Sequence, residues 1–419
     1  MPEAAEAVAE AMPEAIPELI PDTTSDAVSE AVLYWVRLPM ATPFDHPAAR
    51  RRTSDSLVLR IGVDGVYGVG ECAPRPYVTG ETSDGVVAAL SQVPMDALLA
   101  RIARTHPADL LRQLRAEGFA GTFGIDGGNN LVCLLETAVL DLLGHRLGLT
   151  ARQLIGAERE KGGQDGERLA VSQVLDLSIG VEEFLASRGP FHFVKIKASD
   201  DIDRDARTVR AIRDHVGDGV PVMVDANMSW TPANAASRAR RLGECGATLI
   251  EEPLPKRDWA SLRALRRESG LGIMLDESVC TLDDARDAVA AGACDALNVR
   301  IAKNGGLLRA ARLVDFARAH GLGFQIGVQV AEVGPLINAG RALAFGNRDA
   351  MTVEAGQSDR FFPDMIVAPP PAVDRRTNTI APAAGPGLAM SLNEDADRWA
   401  VLRFTGSRTG WQDATPAAR

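Results

Sequence analysis

The chain has 419 residues, about twice the length of a typical single domain, which predicts two domains. Its formal net charge of -11 argues against a nucleic-acid partner or an anionic membrane surface. No apolar run reaches the roughly 20 residues that a membrane span needs, so no membrane partner is expected. The five cysteines show no CxxC spacing and no paired framework, which indicates free thiols in a reducing, cytoplasmic compartment.

The first third of the chain predicts an extension followed by a mixed α+β unit. Residues 1–28 are rich in Ala, Glu and Pro and lack the pattern of a signal peptide, so they predict a disordered acidic extension. Within residues 29–150, two apolar runs flank Asp64 and Gly65, which is a strong hairpin signal. Residues 83–150 show helical spacing of apolar residues, most clearly in "NLVCLLETAVLDLLGHRLG". The stretch 406–419 predicts a loose tail.

From about residue 168 the rhythm changes to strict β/α alternation. Helical segments separate eight β-rich runs: "LAVSQVL", "FVKIK", "PVMVDAN", "TLIEEP", "GIMLDES", "ALNVRI", "GFQIGVQ" and "MTVEAG". This alternation within residues 151–368 predicts a parallel barrel of the (β/α)8 type, with a doubly wound open sheet as the alternative. Neither GxGxxG after a strand nor GxxxxGK[ST] occurs, so the usual phosphate-binding loops are missing.

Charged residues recur at the ends of successive predicted strands. Lys197, Asp225, Glu251, Asp276 and Arg300 follow one another at intervals of 28, 26, 25 and 24 residues, about one β/α unit each. The carboxyl ends of barrel strands form the face where barrel enzymes keep their active sites. Each acid taken alone is as readily explained as a helix N-cap or a solvated loop residue. Three acids in register beside two lysines instead predict a site for Mg²⁺, which prefers hard oxygen ligands.

The two lysines of "FVKIK", Lys195 and Lys197, lie two residues apart and therefore face the same side of a strand. Like charge and burial lower the pKa of a lysine, which suits a general base near neutral pH. A metal that binds a substrate carboxylate would stabilise the enediolate formed when the α proton leaves. The pattern thus predicts proton abstraction α to a carboxylate.

The motifs KIK (195–197), DAN (225–227), IEEP (250–253), DES (276–278) and AKNGG (302–306) resemble the muconate-lactonizing-enzyme-like subgroup of the enolase superfamily. The resemblance covers about residues 31–400. It implies a modified (β/α)7β TIM-type barrel with an N-terminal α+β capping domain, to which residues 369–405 return. The resemblance also implies that Asp225, Glu251 and Asp276 bind Mg²⁺, or alternatively Mn²⁺. It implies that Lys197 is the catalytic base and that Lys195 assists Lys197 or contacts the substrate. Asn227 and Glu277 would support these groups.

Two departures from the family pattern bear on the reaction. The subgroup usually has a second acid/base lysine on the sixth strand, where this chain has Arg300, and a guanidinium is a poor base. Lys303 lies three residues further on, but strand geometry points it elsewhere, and Glu332 is the only acid near the seventh strand. After the eighth strand, Glu354 stands alone where dipeptide epimerases carry an Asp-x-Asp pair. Substrate specificity is expected from loops of the cap, with three candidate residues: His46, Arg75 and Tyr77.

The favoured prediction is a metal-dependent isomerase or lyase that uses one base, in a cycloisomerisation or β-elimination. The alternatives within this chemistry are an amino-acid or dipeptide racemase or epimerase and an acid-sugar or hydroxy-acid dehydratase. Outside it, Lys197 could be the nucleophile of a Schiff-base aldolase, or the barrel could bind a carboxylate without turning it over. The expected partners are a small-molecule carboxylate substrate and further copies of the chain in a homo-oligomer.

Overall fold

Two β-sheets organise the chain: an antiparallel sheet near the N-terminus and a parallel sheet of eight strands. The computed structural model describes residues 29–47, 49–156, 168–406 and 410–414. The predicted extension, residues 1–28, lies outside the described residues. Among those described, no single helix is both long and apolar enough to cross a membrane, and one bent pair, 83–91 with 95–104, passes that test jointly.

The N-terminal unit packs helices on one antiparallel sheet. Its elements are β1 (Ser29–Val36), β2 (Pro39–His46), β3 (Ala49–Thr53), β4 (Ser56–Val63), β5 (Val66–Cys72), α1 (Pro76–Thr79), α2 (Ser83–Ser91), α3 (Met95–Arg104), α4 (Pro107–Phe123), α5 (Asn129–Leu147) and α6 (Ala151–Leu154). The predicted hairpin joins β4 to β5, and Asp64 and Gly65 both have positive φ, as a tight two-residue turn requires. Helix α5 lies so close to β5 that a Cβ on Gly68 or Gly70 would stand 2.3 Å from a helix carbonyl oxygen.

The second unit alternates strands and helices. Its elements are β6 (Leu169–Ala170), β7 (Gln173–Leu175), α7 (Val181–Arg188), β8 (Val194–Lys197), α8 (Ile202–Val216), β9 (Val222–Asp225), α9 (Pro232–Gly243), β10 (Leu249–Glu251), α10 (Trp259–Ser269), β11 (Gly272–Leu275), α11 (Leu282–Ala291), β12 (Ala296–Val299), α12 (Leu307–Ala319), β13 (Gly323–Ile326), α13 (Pro335–Gly346) and β14 (Thr352–Val353).

Strands β7 to β14 neighbour one another in chain order, and each pair is parallel. The sheet curls until its edges meet, where the amide of Ser172 donates to the carbonyl of Val353 at 2.9 Å. Seven helices separate these eight strands within the fully described range 168–353. The (β/α)7β prediction is confirmed, and the open doubly wound sheet, whose strand order would reverse, is not formed.

The end of the chain returns to the first sheet. Its elements are β15 (Val367–Ala368), β16 (Thr379–Ile380), β17 (Ser391–Leu392), β18 (Ala400–Thr405) and β19 (Gln412–Asp413), with 3₁₀ turns at Ser358–Arg360 and Glu394–Trp399. Strand β18 pairs antiparallel with β1. The predicted loose tail is wrong for residues 410–414, because β19 pairs with β18 and the ring of Trp411 packs on Phe404.

Three buried acids of the N-terminal unit bind backbone N–H groups of the rest of the chain: Glu71, Glu136 and Asp141. Glu71 accepts hydrogen bonds from Val333, Gly334 and Leu336 where α13 begins, at 2.7 to 3.1 Å. Glu136 accepts from Leu308 at the start of α12, and Asp141 accepts from Val69 and Leu388. Burial raises the pKa of each of these acids to about 7. At Glu71 and Glu136 a helix N-terminus and a carboxyl group thus satisfy each other across the boundary between the units, whereas Asp141 links β5 to Leu388.

Candidate active site

A cavity opens at the carboxyl ends of the barrel strands, covered by the hairpin β2–β3 and helix α1 of the cap. The cap contributes Thr42, Pro43, Phe44, His46 and Tyr77, and the barrel contributes Lys195, Lys197, Asn227, Glu277, Arg300, Gln329 and Glu354. Two backbone contacts hold the hairpin down: Ala41 N–H to the Phe361 carbonyl at 2.7 Å and Leu177 N–H to the Asp45 carbonyl at 3.0 Å.

Parallel pairing brings the predicted charged residues to one height. Lys197 is in register with Asp225, and Asp225 is in register with Glu251. Asp276 directly follows β11, the next strand. All three acids are completely buried. The regular spacing along the sequence therefore becomes a row of carboxylates across three neighbouring strands.

Lys195 holds a group of acids together from inside the barrel. Its Nζ lies 2.7 Å from Glu251, 2.8 Å from Glu354 and 3.3 Å from Asp225. Burial by itself would lower the pKa of Lys195, but the nearby carboxylates outweigh burial and raise the pKa above its ordinary value. Lys195 is therefore a permanent cation in this arrangement.

Lys197 faces the cavity and has a smaller set of partners. Its Nζ donates to Asp225 Oδ2 at 2.6 Å and to Asn227 Oδ1 at 3.1 Å. Burial opposes ionisation of Asp225, yet the charges of Lys197 and Lys195 hold the pKa of this carboxyl below its ordinary range. The amide of Asn227 also donates to Glu277 at 3.2 Å, so it fixes Lys197 relative to the neighbouring strands.

The sixth strand ends in Arg300, whose guanidinium lies against Asp276 and donates to Gln329 Oε1 at 3.1 Å. Lys303 is fully buried and does not line the cavity. Its Nζ donates to the backbone carbonyls of Asp276 and Asn298 at 2.7 and 2.6 Å and to Asp276 Oδ1 at 3.0 Å. Burial and the charge of Arg300 lower the pKa of Lys303 to about 8. Lys303 thus supports the strand ends from behind Asp276.

Four further acids surround this centre, and their contacts separate them. The Glu252 carboxyl accepts hydrogen bonds from the backbone N–H groups of Asp276 and Ser278 at 2.7 and 3.1 Å, so it stabilises the backbone there. Glu277 lines the cavity, and burial together with Glu252 raises its pKa to about 8. Glu354 binds Lys195 and the Val328 N–H. Glu332 accepts the N–H of Gln329 at 2.7 Å and lies outside the cavity lining.

The three cap residues proposed for specificity divide into two groups. His46 and Tyr77 line the cavity, with 3.3 Å between His46 Nε2 and the tyrosine hydroxyl. Burial and the charge of Lys197 lower the pKa of His46 to about 3, so this imidazole is neutral. Arg75 differs from the prediction, because its side chain lies outside the cavity lining. Its guanidinium donates hydrogen bonds to the backbone carbonyls of Pro74, Val330 and Asp55.

The acids at the strand ends fit a hard divalent cation by chemistry. Glu251 Oε2 and Asp276 Oδ2 are buried and accept no hydrogen bond of ordinary geometry, although Lys195 and Arg300 lie against them. In the described parts of the chain, no three His, Cys, Asp or Glu side chains already form a ligating group. Lys195 contacts both Asp225 and Glu251, and Arg300 contacts Asp276. Asp225, Glu251 and Asp276 thus present carboxylate oxygens of the kind that could hold a divalent cation, at positions where Lys195 and Arg300 now lie against them.

The cavity also contains two arginines that the sequence pattern does not reveal. Arg188, the last residue of α7, and Arg360, in the turn after β14, both belong to its lining. Neither lies at a strand end, so the interval that identifies the other charged residues misses them. The available signal is positional: the segments that follow the first and last barrel strands flank the same seam of the closed sheet.

Comparison with known proteins agrees with this architecture. The family model described as "Enolase C-terminal domain-like" matches residues 177–396. N-succinylamino acid racemase from Amycolatopsis sp is 31% identical over 341 residues, which is 80% of this chain and 87% of the racemase. o-Succinylbenzoate synthase from Geobacillus kaustophilus is 30% identical over 383 residues, 89% of this chain and 95% of the synthase.

Among solved structures, muconate lactonizing enzyme from Pseudomonas fluorescens, complexed with muconolactone, superposes with a TM-score of 0.72 at 26% identity. The match covers 89% of this chain and 98% of that one. These relatives are named as a racemase, a synthase and a lactonizing enzyme, and all three are therefore enzymes. The chain therefore belongs to the enolase superfamily, as an enzyme of its muconate-lactonizing-enzyme-like group of racemases, epimerases and cycloisomerases.

Proposed function

We propose that the protein removes the proton α to a substrate carboxylate with Lys197 as its single base, and completes a cycloisomerisation or a β-elimination. One observation carries this proposal: the two candidate bases of the sixth strand are unsuited to a second proton transfer. Arg300 keeps its proton, and Lys303 is buried behind Asp276 with three acceptors around its Nζ. Of the lysines and arginines at these strand ends, Lys197 is the one in the cavity wall that is neither a guanidinium nor, like Lys195, enclosed by three carboxylates.

The other residues hold the reacting groups in place. Asp225 and Asn227 orient the Lys197 amine, which must be neutral to accept the α proton. In a cycloisomerisation the resulting ammonium gives this proton back on the same face of the substrate, and in a β-elimination it gives the proton to the group that leaves the β carbon. Lys195 keeps Asp225, Glu251 and Glu354 together despite their mutual repulsion. Arg300 is the cation that would face an anionic group of the substrate, since its Nε–H donates to no acceptor among the described residues.

Mg²⁺ bound by Asp225, Glu251 and Asp276 would neutralise negative charge that builds up on the substrate carboxylate, and Mn²⁺ is the alternative ion. The substrate class is a small-molecule carboxylate. Glu354 is already paired with Lys195, which weakens the case for a dipeptide whose ammonium group would need a free acid there. A cytoplasmic location is supported by the five cysteines, all of which are unpaired and buried.

A two-base racemase or epimerase is the second candidate, and the similarity to N-succinylamino acid racemase favours it. That reaction needs a proton carrier on each face of the substrate carbon. In this chain Arg300 would have to be the second proton carrier. Because a guanidinium is strongly basic, proton transfer from it would be slow.

Deuterium exchange tests the proposal. Mg²⁺-loaded protein is incubated in D₂O with N-acyl amino acids, dipeptides and muconate-type acids, and each compound is analysed by mass and chirality. We expect substrates to gain one deuterium, or to form a lactone or an eliminated product, without inversion. Lys197→Ala should lower the rate by about 10² to 10⁴, the usual contribution of a general base.

Lys256→Ala is the matched control, because Lys256 donates to the Val78 carbonyl outside the cavity lining. Arg300→Lys should add inversion if only the second base is missing. Exchange that survives Lys197→Ala would overturn the assignment of the base. Inversion of the substrate by the unmodified protein would contradict the one-base proposal and support the two-base racemase.

A further inference from the structure

The loop that joins β13 to α13, residues 327–334, forms part of the cavity wall and folds around one of its own side chains. Gln329 of this loop lines the cavity, whereas Glu332 lies behind the wall and is only 3% exposed. Glu332 Oε1 accepts the backbone N–H of Gln329 at 2.7 Å. The second oxygen, Oε2, is buried and accepts no hydrogen bond from any described residue. Within the described chain, Gln329 is thus the hydrogen-bond donor that this carboxyl group serves.

The residues on either side of Gln329 are anchored from outside the loop. The Val328 N–H donates to Glu354 at 2.9 Å, and Arg75 of the cap donates to the Val330 carbonyl, also at 2.9 Å. At Gln329 itself, the backbone N–H is held from within the loop, by the loop's own carboxyl group. Loss of that carboxyl group would therefore release Gln329 while its neighbours stay anchored.

The turn between Gln329 and Glu332 also needs support from its surroundings. Ala331 has a φ of 73°, in the left-handed region that a residue with a Cβ seldom adopts. Such conformations persist where the surrounding contacts impose them. Here the Ser358 hydroxyl donates to the Glu332 carbonyl at 2.7 Å, and the Glu332 side chain closes the turn from the other end. Without that side chain we expect the turn to relax and to move Gln329.

The side chain of Gln329 contacts Arg300. A guanidinium group only donates hydrogen bonds, so the Gln329 amide must turn its Oε1 toward Arg300 Nη1, which lies 3.1 Å away. Gln329 Nε2 then has no acceptor among the described residues. The guanidinium also lies against Asp276. The orientation of Arg300 between Asp276 and Gln329 therefore depends on where the loop places Gln329.

We infer that Glu332 is a positioning residue for Arg300: it holds the backbone N–H of Gln329, and Gln329 in turn orients the guanidinium that faces the substrate. The inference rests on the proposed function for the role of Arg300. Glu332 acts here as a hydrogen-bond acceptor, so its negative charge is not required. Burial and the nearby Glu71 carboxyl raise the pKa of Glu332 well above its ordinary value, which favours the neutral acid. A neutral amide of the same shape should therefore replace it.

Crystal structures of two variants test the link from Glu332 to Arg300. Glu332→Met fills a similar space and lacks an acceptor, whereas Glu332→Gln keeps a carbonyl oxygen in place of Oε1. We expect the distance from Gln329 Oε1 to Arg300 Nη1 to stay near 3.1 Å in Glu332→Gln. In Glu332→Met it should exceed about 3.5 Å, the limit of a hydrogen bond. If Glu332→Met does not fold by circular dichroism, Glu332→Ala replaces it.

Calorimetry with the Mg²⁺-loaded protein and oxalate, a small dianion, measures the consequence for an anion in the cavity. Arg300→Gln should weaken oxalate binding about tenfold or more, because it removes charge-assisted hydrogen bonds. Glu332→Met should weaken it about fivefold and Glu332→Gln less than about twofold. A loss of folded protein would instead lower the number of binding sites and leave the Kd unchanged. Asp141→Ala is the matched control, since Asp141 is a buried acceptor of backbone N–H groups outside the cavity lining.

Gln329→Leu shows whether Glu332 acts through Gln329. In a Gln329→Leu background, Glu332→Met should weaken oxalate binding no further, because the contact that it supports is already lost. Additive effects would overturn the inference, and so would a contact between Gln329 and Arg300 that survives Glu332→Met. If the unmodified protein does not bind oxalate, or if Arg300→Gln binds it equally well, the role of Arg300 in the proposed function fails. The crystal structures decide independently whether Glu332 places Gln329 against Arg300.

Discussion

Buried acids occur in two regions of this molecule, and they differ in what they face. At the boundary between cap and barrel, Glu71 and Glu136 accept hydrogen bonds from neutral backbone N–H groups. At the strand ends, Asp225 faces two ammonium groups. All three side chains are completely buried.

The same degree of burial therefore has opposite consequences. Burial raises the pKa of Glu71 and Glu136 to about 7, because N–H dipoles compensate only part of the lost hydration. The lysine charges overcome burial at Asp225 and keep it ionised. Burial alone thus does not decide the protonation state of a buried acid, and the charge of its partners separates Glu71 and Glu136 from Asp225.

The largest loss of stability is expected from removing Lys195, the cation that three acids at the strand ends share. Lys195→Met would leave Asp225, Glu251 and Glu354 buried without their shared counter-charge. We expect the free energy of unfolding to fall by about 3 kcal/mol or more, as when one partner of a buried ion pair is deleted. Urea unfolding at pH 7 in the presence of a chelator measures the change.

Lys256→Met serves as the control for Lys195→Met, since it deletes an ammonium that contacts a backbone carbonyl and no acid. Equal stability of the two variants would contradict the role of Lys195 as the cation that binds the acids together.

A smaller loss is expected at the boundary between the units. Glu71→Ala would leave the N–H groups of Val333, Gly334 and Leu336 without an acceptor. Because leaving even one of these buried N–H groups unsatisfied costs about 1 to 3 kcal/mol, we expect a loss of about 2 kcal/mol or more. Urea unfolding followed by tryptophan fluorescence measures it. Glu117→Ala, an exposed acid on α4, should change stability by less than about 0.5 kcal/mol; a similar loss there would show that Glu71 does not join the units.

The pH dependence should have opposite signs for Glu71 and Asp225. The ordinary pKa of Glu71 is 4.5 and the folded value is about 7, so between these values the folded state keeps a proton that the unfolded chain has lost. The contribution of Glu71 is thus fully present below pH 4.5 and is lost as the pH rises through 7. Asp225, whose pKa is lowered, contributes stability that is lost as the pH falls below its ordinary value.

Glu71→Gln sharpens this test. Between pH 5 and 7 it should make the fall of stability with pH shallower by about 1.4 kcal/mol per pH unit, which corresponds to one proton. Unfolding free energies measured across this range provide the slope, and an unchanged slope would mean that Glu71 titrates alike in both states.

Much of the centre is readable from the sequence because strand ends recur at a fixed interval. Lys197, Asp225 and Glu251 are found in register, as the spacing predicts. The interval carries no information on side chains that reach the cavity from elsewhere. Arg75 appears suited to substrate by its place in a cap loop, yet it is used by backbone carbonyls, whereas Arg188 and Arg360 line the cavity from positions that have no motif.

The sequence by itself determined the alternation of strands and helices, the hairpin at Asp64–Gly65 and the row of charges at the strand ends, because each depends on neighbours along the chain or on a regular repeat. The tertiary structure alone decided which cations neutralise which acids, that Lys303 turns behind Asp276, and that arginines from α7 and from the turn after β14 meet at one seam. These arrangements join residues that are far apart in the chain, and no local pattern encodes them: Lys195 and Glu354, which lie 2.8 Å apart, are separated by 159 positions.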